Sequence, residues 1–107
     1  MNIPESVQIG WRKYRIEQFD VRETRQDGTS YGTVNNNEAL IRLYSQQSDG
    51  EKAVTLLHEI MHGIFYATGH TEWCDNEDLI TLISEQLYFV IKENPEIFNE
   101  FAPVAPV

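Results

Sequence analysis

The sequence predicts an α+β fold in which an N-terminal antiparallel sheet of three to four strands precedes two long helices. Two observations support this prediction. Residues 1–47 are typical of strands and turns, with apolar and polar side chains alternating over 7–9 and 14–19, whereas from Ser48 onward the apolar side chains recur at helical spacing. The 107 residues contain 41% hydrophobic side chains and show no linker or internal repeat, so we expect a single domain spanning residues 1–107.

The strand-rich part, residues 1–47, contains four candidate strands. They cover residues 7–9, 14–19, 31–34 and 39–44. Gln26, Asp27 and Gly28 give a turn signal before the third strand, and an Asn35-Asn36-Asn37 run connects the last two. The alternation indicates strands that are half buried.

The helical part begins with a predicted active-site helix over residues 48–69. Ser48 and Glu51 form a capping-box pattern at its start, and Gly69 is a natural terminator. A second helix is predicted over residues 75–93, and it must end before Pro95. Pro95 then suits the first position of a short third helix. Residues 102–107 are expected to form a flexible tail.

Composition excludes several classes of function. The chain has 8 Lys and Arg against 17 Asp and Glu, a formal net charge of −9, which argues against direct nucleic-acid binding. It contains no apolar run long enough to span a membrane, and residues 1–6 lack the basic and apolar stretches of a secretory signal, so we expect neither a membrane span nor a secretory leader. The single cysteine, Cys74, excludes an internal disulfide. Together these features predict a cytoplasmic protein.

A metal-binding pattern lies within the first predicted helix. His58 and His62 are four residues apart, so their side chains project about 40° apart and can bind one tetrahedral Zn²⁺. Relative to His58, the helix's apolar side chains cluster at about −100°. They are Ala53, Leu57, Met61 and Ile64. Both histidines therefore border the predicted buried stripe, where a metal ion is open to substrate. Glu59, about 100° around from His58, is placed to reach a metal-bound water and act as a general base.

A catalytic zinc site also requires a third protein ligand. Glu77 is favoured because it borders the apolar stripe of the second helix. That stripe consists of Ile80, Ile83, Leu87 and Val90. Glu85 projects about 80° from Glu77 on the side away from the stripe, and is the second candidate. His70, which follows Gly69, is the third.

Residues 56–62 resemble the active-site helix of zincin metallopeptidases of the gluzincin type, in particular the small ImmA/IrrE-type enzymes, many of which are carried by phages and mobile elements. The resemblance covers about residues 31–94, and only the His-Glu-x-x-His motif is highly specific. It implies a minimal zincin-like domain in which a glutamate of the following helix, here Glu77, is the third ligand. The metzincin class of zinc peptidases is excluded, because its motif requires glycine and histidine where this sequence has Phe65 and Thr68.

The resulting hypothesis is a zinc metallopeptidase that hydrolyses a peptide bond in a protein or peptide substrate. Zinc would activate the water and Glu59 would accept its proton. We expect the strand at residues 40–44 to border the cleft and pair with an extended substrate. Tyr66 and His70 are the nearest candidates for stabilising the oxyanion. A regulatory protein is a further candidate partner.

Two alternatives remain open at the level of sequence. The chain is either the enzyme or a non-catalytic acidic binding protein, such as a phage-type regulator or DNA mimic that keeps a structural zinc site. Mimicry requires the acidic side chains to form one continuous face. Those side chains are Asp20, Glu23, Asp27, Asp49, Glu51, Glu93, Glu96 and Glu100. Cys74 is either a buried thiol or a thiolate that fills the open coordination position.

Overall fold

The computed structural model describes residues 2–20, 24–25, 28–29 and 31–101. The strands are β1 (Ser6–Ile9), β2 (Arg12–Phe19), β3 (Thr24–Arg25), β4 (Gly28–Thr29), β5 (Gly32–Asn35) and β6 (Leu40–Tyr44). The helices are α1 (Asp49–Ala67), α2 (Thr71–Cys74), α3 (Glu77–Glu93) and α4 (Pro95–Phe98), followed by a 3₁₀ turn (Asn99–Phe101). The predicted α+β class, with the sheet preceding the helices, is confirmed. The turn predicted at Gln26 and Asp27 and the tail predicted at residues 102–107 lie outside the described residues.

The main sheet has four strands in the order β1-β2-β6-β5, and β3 pairs with β4 separately. The β1–β2 and β5–β6 pairs are antiparallel, but β2 and β6 run parallel, with Ile16 opposite Ile41. The prediction of a purely antiparallel sheet is therefore wrong for the central pair. Alternation indicates which face of a strand is buried, but it says nothing about the direction of the neighbouring strand.

One face of this sheet forms the core with α1. Period-two alternation places Tyr14 and Ile16 of β2 on that face, together with Ile41 and Leu43 of β6. Leu56 of α1 completes the buried cluster from the other side. The sheet therefore supports the helix that carries the metal-binding motif.

The ends of α1 match the sequence signals. The Ser48 side chain accepts a hydrogen bond from the Glu51 amide, as a capping residue should. At the other end, the Gly69 amide donates to the Tyr66 carbonyl at 3.2 Å, and Gly69 has a φ of +77°. That conformation favours glycine and ends the helix.

Two glycines allow α1 to approach the sheet closely. A Cβ added at Gly63 would lie 2.8 Å from Cδ1 of Ile9, and one added at Gly32 would lie 2.6 Å from Cγ2 of Thr55. Both distances are too short for carbon atoms in contact. The absence of side chains at these positions therefore brings the C-terminal half of α1 against β1 and its N-terminal half against β5.

The buried face of α1 differs from the predicted stripe. Its buried residues are Leu56, Glu59, His62 and Gly63, whereas Ile64 is exposed and Leu57 and Met61 are half-buried. The centre of burial therefore lies on the Glu59 side of His58. The reason is that α1 packs against the sheet on one side and α3 on the other, so its burial does not follow one apolar stripe. His62 therefore lies on the buried face, and His58 borders it.

A short helix, α2, which is not predicted from the sequence, connects α1 to α3. The predicted second helix begins at residue 75, but residues 71–74 form the single turn α2 and α3 begins at Glu77. Asn76 caps α3 by accepting a hydrogen bond from the Leu79 amide at 3.1 Å. Ile80 and Ser84 are fully buried on α3, whereas Val90, predicted to belong to the buried stripe, is exposed. The end of α3 at Glu93 and the helix beginning at Pro95 are as predicted.

Across the described residues, no helix combines the length and the apolar character required to cross a bilayer.

Candidate metal centre

The two histidines of α1 lie side by side facing the start of α3. Their ring centroids are 5.0 Å apart, and their Nε2 atoms are separated by 3.3 Å. The His62 side chain is 10% exposed and that of His58 20% exposed. One turn of α1 therefore directs two imidazole nitrogens to the same point at the edge of the core.

Glu77 brings a carboxylate to that point from the first turn of α3. Its Oε2 lies 2.9 Å from Nε2 of His58, and its Oε1 lies 2.9 Å from Nε2 of His62. The Asn76 cap positions Glu77 because it determines where α3 begins. The candidate ligand atoms of His58, His62 and Glu77 all lie within 4.8 Å of one another, close enough to hold a metal ion. We call these three residues the metal group.

The distances in this group fit a small tetrahedral cation. Adjacent ligand atoms of an ion with bonds of about 2.0–2.1 Å lie about 3.3–3.4 Å apart. The 3.3 Å separation of the two Nε2 atoms matches this value. The carboxylate oxygens, at 2.9 Å from the Nε2 atoms, need to withdraw by only a few tenths of an ångström. The Glu77 side chain is 65% exposed and can make that adjustment.

Electrostatics favours the form of His58 that binds metals. Burial lowers the pKa of His58 because it disfavours the charged imidazolium, while the Glu77 carboxylate opposes this shift. The depressed pKa keeps the ring neutral, and only a neutral imidazole has a lone pair for a cation.

Glu59, the carboxylate of the His-Glu-x-x-His motif, is buried. It is 6% exposed and lines the same cleft as His58 and His62, but it does not belong to the three-residue metal group. This separation agrees with the role expected from the sequence, beside the metal ligands instead of among them.

The metal group lies in a cleft of about 730 Å³ between the sheet and α3, which we call the metal cleft. The edge strand β5 forms one wall, α1 the adjoining surface and the first half of α3 the opposite wall. From the sequence, we expect the strand at residues 40–44 to border this cleft, but none of its residues lines it. That expectation is wrong because β6 lies inside the sheet, between β2 and β5.

Neither of the other two candidates for the third ligand, Glu85 and His70, belongs to the metal group. Glu85 lines the cleft but is not part of the metal group. His70 stacks on Trp73 with ring centroids 3.8 Å apart, and its Nδ1 lies 3.7 Å from a Glu72 oxygen. Its ring therefore packs within the α2 segment, and Glu77 is the acidic residue that meets the two histidines.

Cys74 contacts His62 on the side away from the shared point. Its Sγ lies 3.4 Å from the His62 carbonyl oxygen and 3.8 Å from Nδ1 of the same residue. Burial raises the pKa of the Cys74 thiol, so the thiolate is disfavoured. Cys74 is half-buried and lines the cleft as a protonated thiol, so it matches neither a fully buried thiol nor a thiolate at the coordination position.

Tyr66, one candidate for oxyanion stabilisation, faces a neighbouring pocket. It lines that pocket beside the Asn35–Asn37 connection, and its hydroxyl lies 3.4 Å from Oδ1 of Asn37. Asn36 lines both the pocket and the metal cleft, and it is not among the site residues predicted from the sequence. The asparagine run was the available signal, but it was interpreted only as a connection between strands.

Comparisons of the chain with protein-family models, with curated proteins and with solved structures found no match. The assignment of function therefore depends on the metal group and its cleft.

Proposed function

We propose that this protein is a zinc-dependent metallopeptidase of the zincin type. The observation that supports the proposal most strongly is the convergence of His58, His62 and Glu77, from two different helices, on one point beside the buried Glu59. Two imidazoles and one carboxylate are a donor set typical of catalytic zinc sites, which keep one further position for water.

Zinc, when bound, supplies Lewis acidity and lowers the pKa of water at the site. His58 and His62 would hold the ion through their Nε2 atoms, with the ring proton then on Nδ1. Glu77 neutralises part of the charge of the ion. Glu59 accepts a proton from the attacking water and delivers it to the leaving amine, which is general acid–base catalysis by one carboxylate.

The substrate in this proposal is an extended peptide or protein segment. β5 is an edge strand, with β6 on one side and the cleft on the other. Edge strands recognise extended chains through main-chain hydrogen bonds, so β5 suits a peptide backbone lying across the metal centre.

The proposal is tested by separating metal binding from turnover. Zinc-loaded native protein and Glu59→Gln are incubated with a complex peptide library in water enriched in ¹⁸O, and new carboxyl termini are identified by mass spectrometry. We expect the native protein to produce ¹⁸O-labelled termini at a rate at least about 100-fold above that of Glu59→Gln, because a general base typically contributes about 10²–10⁴-fold. Both proteins should contain equal zinc.

Glu85→Gln is the matched control, because Glu85 lines the same cleft without joining the metal group. It should retain most of the native rate. If native and Glu59→Gln proteins hold equal zinc and yield identical peptides, the enzymatic proposal is wrong, and the non-catalytic acidic binding protein with a structural zinc site becomes the better account.

A further inference from the structure

Asn36 lies directly after the edge strand β5 and forms part of the wall of the metal cleft. It also lines the neighbouring pocket, so it stands where the two cavities meet. Neither the metal group nor the proton transfer assigned to Glu59 uses this residue.

Both the side chain and the main chain of Asn36 are held in place. The hydroxyl of Tyr14, a residue only 1% exposed, donates to Oδ1 of Asn36 at 2.8 Å. The Arg12 guanidinium donates to the Asn36 carbonyl and, at 3.1 Å, to the Asn37 carbonyl. A connection between strands is thereby anchored to the core and to β2.

These contacts occupy the carbonyl oxygen of the Asn36 carboxamide, which is its acceptor, and do not involve the N–H donors of its NH₂ group. An asparagine side chain has one carbonyl oxygen and an NH₂ group with two N–H donors. Among the described residues, no acceptor pairs with Nδ2 of Asn36. A half-buried amide whose oxygen is anchored thus presents donors at the wall of a cleft.

The anchor also places Asn36 near one of the metal ligands. The Tyr14 ring approaches α1 at Gly63, the residue after His62, because a Cβ added there would lie 3.6 Å from Cζ of Tyr14. The Tyr14 hydroxyl, bonded to Cζ, is the group that holds Asn36. The amide therefore lies toward the His62 end of the cleft.

We propose that Asn36 is a substrate-binding residue that donates from Nδ2 to a carbonyl oxygen of the bound peptide. The inference rests on the proposed peptidase function and adds a specific contact to it. The ionisable side chains that line the cleft include Glu59, Asp75, Glu77 and Glu85, which accept hydrogen bonds when charged. A peptide carbonyl requires a donor instead. Because the Asn36 oxygen is already bonded to Tyr14, its amide is oriented before the peptide arrives, which reduces the entropic cost of binding.

The test uses zinc-loaded protein and a defined probe, the hydroxamate of acetyl-Ala-Ala, with affinity measured by titration calorimetry. Asn36→Asp keeps an acceptor for the Tyr14 hydroxyl but removes the donor. Asn36→Ala removes both. We expect each variant to bind the probe about tenfold more weakly than the native protein, with unchanged zinc content, since one hydrogen bond is lost.

Asn37→Asp is the matched control. It makes the same change of charge at the next residue, which lines the neighbouring pocket and not the metal cleft. It should bind the probe with native affinity. Native affinity for the probe in a zinc-loaded Asn36→Asp variant would overturn the inference.

A second measurement avoids substitution entirely. In zinc-loaded native protein labelled with ¹⁵N, the side-chain NH₂ resonances of Asn36 should shift on addition of the probe, whereas those of Asn37 should stay in place. Bound probe with an unshifted Asn36 amide contradicts the inference alone. A native protein that takes up no zinc, or whose zinc does not bind the hydroxamate, contradicts the peptidase proposal as well.

Discussion

The two oxygens of the Glu77 carboxylate lie 2.9 Å from two different imidazoles, one on each. A single side chain of α3 thus meets both histidines of α1. In the absence of metal this geometry suits charge-assisted hydrogen bonds from ring N–H groups to the carboxylate. If a metal ion bound, the same atoms would become its ligands once the Nε2 protons were lost. The residues are therefore close to their binding positions before an ion arrives.

At the residue scale, helical projection of the sequence predicted best the direction in which each side chain of the site leaves its helix axis. It correctly placed Glu59 away from the histidine ligand atoms and favoured Glu77 over Glu85 and His70 for the position that meets them. It could not indicate that His70 would stack on Trp73, because that contact depends on the unpredicted α2 turn. The role of Asn36 was equally hidden, because it depends on a hydrogen bond to Tyr14, 22 positions away in sequence.

Tyr14 provides a residue-scale prediction about pH. Burial raises the pKa of its phenol above 10.0, so the folded state favours the neutral form more strongly than the unfolded state does. This contribution to stability is complete below pH 10 and is lost as pH rises through the folded pKa. The free energy of unfolding of the native protein should therefore fall above about pH 10, and it should fall less in Tyr14→Phe.

The measurement is chemical denaturation between pH 8 and 11, followed by circular dichroism. Tyr31→Phe serves as the control because it removes a hydroxyl from a residue that is 44% exposed and whose charge does not contribute to the pKa shift of Tyr14. The explanation fails if Tyr14→Phe and the native protein lose equal stability over this range.

At the scale of elements, the site depends on how closely α1 approaches the sheet. Capping and termination signals in the sequence located α1 well, from the Ser48 cap to the turn at Gly69. They did not show which face of α1 would be buried, because a helix between two neighbours has two covered sides. They also did not show that β6 would insert beside β2 and leave β5 at the edge. Both outcomes depend on contacts between residues distant in sequence.

Gly63→Ala tests this close approach. In an exposed helix the change would stabilise the protein by about 1 kcal/mol, because alanine is the better helix former. Here the new Cβ meets Cδ1 of Ile9 at 2.8 Å, and overpacking of this kind costs about 1–3 kcal/mol. We expect net destabilisation, measured as a lower free energy of unfolding in urea.

The matched background is Ile9→Val, which removes the Cδ1 atom involved. A double-mutant cycle should show that Gly63→Ala costs less in this background than in the native protein. Additive effects of the two changes would contradict the packing explanation.

At the scale of the whole molecule, α1 and α3 meet at the metal group, and among the described residues only α1 of these two helices packs directly on the sheet. α1 packs on the sheet, while α3 packs on α1 and supplies Glu77. A bound ion would therefore connect α3 to the sheet through α1. The strongly acidic composition, with a net charge of −9, also favours a cation at this point. Composition and periodicity predicted the α+β class correctly, and the mixed direction of the sheet was the feature that they missed.

The most direct test of the central claim is the zinc content of the folded protein. Native mass spectrometry after saturation with zinc and removal of excess ion should give one zinc per native chain. His58→Ala and Glu77→Ala should each lose it, because three protein ligands are needed to hold the ion tightly. Glu85→Ala should retain it. Full zinc occupancy in Glu77→Ala, or no zinc in the folded native protein, would contradict the assignment of this metal centre.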